Sequence, residues 1–87
     1  MTIYFFNIIE GDEYISDLEG IDCSDLAAVQ KAAIAGASGL IAEAMKKGEQ
    51  DYRGRFEVAD ERGATVLSLA FACPITIKII PPLAKES

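Results

Sequence analysis

Apolar and polar positions recur with two different periods along this chain. From Thr2 to Glu10, TIYFFNIIE, aromatic and β-branched residues dominate, and period-two spacing returns at Arg55 to Asp60 and Thr65 to Phe71. That composition and spacing predict strands. Between them, Asp25 to Lys47, DLAAVQKAAIAGASGLIAEAMKK, has the period of a helix.

Placed about 100° apart on a helix, Leu26, Val29, Ile34, Leu40, Ile41 and Met45 fall on one broad side, with Ala33, Ala37 and Ala44 between them. This side is expected to cover a sheet. The opposite side carries Ala28, Ala32, Ala35, Gly36, Gly39 and Ala42, interrupted by Lys31, Glu43 and Lys46. Each glycine in an exposed helix costs roughly 1 kcal/mol relative to alanine. A second helix approaching at Ala32, Ala35, Gly36 and Gly39 would offset that cost, by analogy with small-residue contacts between membrane helices. The alternative is an alanine-rich exposed helix that tolerates two glycines. Ser24 or Asp22 is expected to cap the helix, with Asp25 in its first turn, and Lys46, Lys47 and Gly48 are expected to end it.

On the first strand Tyr4, Phe6 and Ile8 point one way and Ile3, Phe5, Asn7 and Ile9 the other. Both faces are largely apolar. One helix covers only one of them, so Phe5 and its neighbours are expected to meet the C-terminal tail or another subunit. Gly11 to Glu13 reads as a turn, Tyr14 to Asp17 as a short returning strand, and Leu18 to Cys23 as a lead into the helix, bending at Gly20. After a polar connection from Glu49 to Gly54, Phe56 and Val58 face the core. Glu61 to Gly63 forms a hairpin turn, and Leu67, Leu69 and Phe71 return inward. Ile75 to Ile80, ITIKII, has the composition of one more strand between Pro74 and Pro81. Its Ile75, Ile77 and Ile79 are expected at an interface, on the same sheet or across to a partner.

These elements make an α+β domain: a two-layer ββαββ arrangement, with an antiparallel sheet of about four strands covered on one face by one long helix, and a possible extra C-terminal strand. With 87 residues there is room for a single domain, 1–87, comprising a core at 2–72 and an apolar tail at 73–87. The apolar share is 51%, yet no uncharged apolar run is long enough to span a bilayer, and the N-terminus has no basic start or cleavage motif. A cytoplasmic location without membrane attachment is expected.

Composition then narrows the chemistry. There is no histidine, which removes the usual Ser-His-Asp and Cys-His pairs and the imidazole metal ligand. Cys23 and Cys73 stand far apart and read as reduced, partly buried thiols, so neither a redox motif nor a zinc site is suggested, and no cofactor is expected. The net charge is −6, and Glu10, Asp12, Glu13, Asp17, Glu19, Asp22 and Asp25 all precede the first basic residue, Lys31. Such a surface repels phosphate, so nucleic acid is not an expected partner. The acids around Gly20 do not keep the register of an EF-hand loop and read as a solvated loop. Arg53, Gly54 and Arg55 look like a minimal RNA-binding fragment but stand beside acids, where solvated arginines are expected.

The order YFFNIIEGDEYISDLEGID, DLAAVQKAA and YRGRFEVADERGATVLSLAFA resembles a family of short bacterial proteins, found especially in rhizobial-type alphaproteobacteria, classified as a domain of unknown function. The resemblance covers roughly residues 3 to 72 and implies a fold without an activity. A weaker likeness is to HicB-like antitoxins, although their P-D-L-P-G-C stretch is replaced here by Asp17, Leu18, Glu19, Gly20, Ile21, Asp22 and Cys23.

The expected function is that of a non-enzymatic interaction or self-association module. A homo-oligomer, with a dimer favoured, and a basic protein partner are the expected associations. One alternative is an antitoxin-type binder of a basic partner. Another is a small-molecule binder or enzyme built on Glu10, Asp12, Asp17 and Tyr14.

Overall fold

The computed structural model describes residues 2–74. Five strands and one helix follow in the order β1 (Thr2–Glu10), β2 (Glu13–Ile15), β3 (Ile21–Cys23), α1 (Leu26–Lys46), β4 (Asp51–Ala59) and β5 (Thr65–Pro74). All strand pairs are antiparallel, in the order β2-β1-β4-β5, with β3 also paired to β1. The α+β architecture is therefore present, with one strand more than the four expected. Ile75, Ile77 and Ile79 lie outside the described residues.

β1 is central because it can hydrogen-bond on both sides and carries apolar residues on both faces. Tyr4, Phe6 and Ile8 share a face with Phe56 and Val58 of β4, and through them with Leu67, Leu69 and Phe71 of β5. On this face aromatic rings step across three strands: Phe6 meets Phe56 edge-on at 6.1 Å between centroids, and Phe56 lies 5.5 Å from Phe71. Gly54 stands opposite Phe71, whose ring lies over it, so a Cβ there would come within 2.8 Å of the ring.

The helix meets these rings with small residues. Val29, Ala33, Ala37 and Ala44 are buried, and Leu40 and Ile41 are half-buried. Leu26, Ile34 and Met45 are exposed, which corrects the expectation that they would cover the sheet. The reason is volume: Phe6, Phe56 and Phe71 fill the space between the layers from the sheet side, so the helix side of that space accepts alanine. Gly36 belongs to the same contact, since a Cβ on it would sit 3.1 Å from Phe56 Cζ. Its absent side chain has a cause within the chain.

The helix begins at Asp25, which is the cap itself, in place of the expected Ser24 or Asp22: its carboxylate accepts from Ala28 N–H at 2.8 Å. It ends at Lys47, followed by Gly48 at φ +82°. β2 is shorter than expected, and Leu18–Cys23 contains β3 in place of a plain lead. β4 starts at Asp51, inside the expected polar connection, and β5 runs on to Pro74. No helix of the described residues is long and apolar enough to cross a membrane.

Candidate functional site

The chain from Glu10 to Asp25 follows one edge of the sheet. Ile8 faces Ile15, and Tyr4 faces Ile21, so three residues between them on β1 are matched by five on the returning chain. A side chain closes the gap. Asp17 accepts from Phe6 N–H at 3.0 Å, where a backbone carbonyl would serve in an ordinary ladder, and its other oxygen accepts from Glu19 and Gly20 N–H. Asn7 Oδ1 in turn accepts from Asp17 N–H at 2.9 Å. Partial burial pushes the Asp17 carboxyl up, but the N–H donors from Phe6, Gly20 and Glu19 outweigh that and hold it below the usual carboxylate range. Gly20 is required here: it has φ +75°, and a Cβ would lie 2.5 Å from Ile3 Cγ2.

This fastened loop raises an apolar surface. Leu18 is 88% exposed, and Tyr14 and Ile15 on β2, Ile21 on β3 and Leu26 at the start of α1 are also exposed, with Tyr14 on the sheet face opposite that of Ile15 and Ile21. Asp12, Glu13, Glu19 and Asp22 are exposed in the same stretch. The edge therefore combines large apolar side chains with charge of a single sign.

The predicted site residues separate. Ala32 and Gly36 turn toward the core and the sheet, whereas Ala35 and Gly39 are exposed, with nothing near Gly39. The small-residue stripe is thus divided between two faces. Phe5 is half-buried on the sheet face away from the helix. The four candidates for carboxylate chemistry serve different parts of the fold. Glu10 accepts a hydrogen bond from the Tyr52 hydroxyl, Asp17 is filled by backbone donors, and Asp12 and Tyr14 are exposed at the first hairpin. Burial, then the hydrogen bond to Glu10, then the charges of Glu10 and Glu49 push the Tyr52 hydroxyl well above its usual range. Among the described residues no group of three or more Cys, Asp and Glu is placed to hold a metal.

A shallow trough of about 550 Å³ lies over Ile9, Arg53, Arg55, Ala70 and Ala72. Its cations are already matched, Arg53 to Asp51 at 2.9 Å and Arg55 to Glu57 at 3.7 Å. That arrangement suits a solvated surface better than a phosphate site.

Sequence reasoning missed the exposed edge because β3 has only three residues. The signal was present in Tyr14, Ile15, Leu18 and Ile21, apolar residues set among acids and too irregular in spacing to share one buried face. No curated protein and no solved structure matches this chain. Among protein families, residues 3–72 match the one described as Domain of unknown function (DUF6894), and the chain belongs to that family.

Proposed function

We propose that the protein is a non-enzymatic interaction module that presents its β2–β3 edge to a basic partner. The observation that carries this reading is the exposure of Tyr14, Ile15, Leu18, Ile21 and Leu26 within a segment that supplies acids and no basic residue. A single exposed leucine is ordinary, but five large apolar side chains exposed within one short segment supply contact area. The surrounding carboxylates steer a cationic partner toward that area and repel acidic ones. Asp17 holds the loop before any partner arrives, so little ordering is needed on association. The antitoxin-type alternative differs in the identity of the basic partner and uses the same surface.

The test is a titration with a defined probe, a labelled amphipathic peptide of lysine and leucine, followed by fluorescence anisotropy. Binding should weaken as salt rises, and Leu18→Ser should weaken it about tenfold. Equal binding of a glutamate–leucine peptide, or indifference to Leu18→Ser, would count against the proposal.

A further inference from the structure

We propose that a second copy of this chain adds to the outer edge of β5, which no strand among the described residues pairs, so that two sheets join into one and two helices meet side by side. This uses a surface other than the β2–β3 edge and stands or falls independently of it.

The first observation is the chemistry of the edge. β5 is the last strand of the sheet among the described residues, and Thr65–Pro74, TVLSLAFACP, contains no charged residue. Edge strands in soluble proteins usually carry lysine, an inward charge or an early proline that blocks further pairing. Here the proline comes only at the last position of the strand.

The pairing pattern shows which groups face outward. Phe6 N–H turns toward Asp17, on the β2–β3 side, so Asn7 and Ile9 turn toward β4. Alternation across the ladders then directs Phe56 and Val58 toward β5, and Leu67, Leu69 and Phe71 back toward β4. The N–H and C=O groups of Ser68, Ala70 and Ala72 face away from the sheet. All three residues are exposed, and their side chains are small.

The second observation lies on the helix. Gly36 lies over Phe56 of β4, and Glu43, two turns further along the same flank, lines a hollow with Glu10 of β1 and Tyr52 of β4, so this flank is the one on the β1 side. The other flank, with Ile34, Ile41 and Met45, therefore overhangs β5. Ile34 is 51% and Met45 54% exposed there.

A foreign strand added to β5 would satisfy the edge and leave this flank bare. A second copy, related by a two-fold axis through the sheet, pairs β5 antiparallel with its own equivalent and brings a second helix on the same face. Ile34, Ile41 and Met45 then meet the same residues of the other helix. Charge favours the same choice: joining through β5 places the two acidic β2–β3 edges at the far ends of the combined sheet, whereas joining through those edges would oppose like charges.

Sedimentation equilibrium of the full chain across a concentration series tests this, beside Ala70→Pro and Ile34→Lys. Ala70→Pro removes an outward N–H and no hydrogen bond to β4, and Ile34→Lys adds charge at an exposed helix position. Should Ala70→Pro fail to fold, Ile34→Lys with an unchanged circular dichroism spectrum decides. The expected result is a dimer whose dissociation constant rises about tenfold or more in Ile34→Lys, with the Ala70 and Ala72 amides losing exchange protection on dissociation. A monomeric wild type overturns the proposal, as does a dimer indifferent to Ile34→Lys. A monomer with those amides protected also overturns it, assigning the edge to residues of the same chain.

Discussion

Replacing Asp17 by alanine removes the acceptor that bridges the gap between β2 and β3, and it leaves Phe6, Glu19 and Gly20 N–H without their partner. The Phe6 N–H lies in a half-shielded part of the sheet, where an unmatched donor costs about 1–3 kcal/mol. The exposed Glu19 group turns to water at about 0.5 kcal/mol, and the half-buried Gly20 group costs about 0.5–1 kcal/mol. Asp17→Ala should therefore lose about 3 kcal/mol, and Asp17→Asn about half as much, because its amide keeps one acceptor oxygen. For a domain of this size that corresponds to a fall in Tm of about 15 °C for the alanine variant. The folded-state pKa of Asp17 is depressed, so its ionised form stabilises the fold above the unfolded value of about 3.9. That contribution is lost as pH falls through the folded pKa. Urea unfolding of wild type and Asp17→Ala should thus show a stability gap that is full at pH 7 and shrinks below about pH 4. A gap under about 1 kcal/mol at neutral pH, or one unchanged down to about pH 2.5, would refute the bridging role.

Other consequences follow from the same geometry. Gly54→Ala should cost about 2 kcal/mol in chemical denaturation, because its Cβ would meet the Phe71 ring at 2.8 Å, and Phe71→Leu should recover part of that loss. Asp25→Ala should cost about 1 kcal/mol through the lost helix cap, most visibly in the helical circular dichroism near the transition. Tyr52→Phe should cost about 1 kcal/mol through the lost bond to Glu10. In an alkaline ultraviolet titration Tyr52 should ionise above the usual tyrosine range. Its folded pKa is raised, so the stability it contributes is present below the unfolded pKa of about 10 and lost as pH rises through the folded one.

Much of the architecture was legible because its signals are local. The turn at Gly11, the stop at Gly48 and the two-fold alternation in β1, β4 and β5 each need only a few neighbouring residues. What depended on distant partners was not legible. Asp17 looked like one more solvated acid until Phe6 and Asn7 came beside it from β1. Gly36 looked like an invitation to a second helix, yet Phe56 occupies that space from twenty residues further along the chain. Hydrophobicity without volume does not place the helix face: Ile34 is more apolar than Ala33, yet Ala33 is buried in the cluster that holds the rings and Ile34 is half-exposed. Strand β3 was not legible because it is only three residues long and its partner, the start of β1, lies about twenty residues away in sequence. The candidate surface was half legible, since its acids were obvious in the sequence and the exposure of Leu18 was not.

The division of labour between ringed sheet and alanine helix also bears on how this domain can change over time. Where one layer supplies the bulk and the other the room for it, size is conserved across a pair of positions and not at either one. A larger residue at Ala37 becomes tolerable only together with a smaller one at an opposing ring. Descendants of this chain should therefore drift by linked exchanges between helix and sheet, and an inventory of single substitutions would overstate how rigidly its interior is constrained.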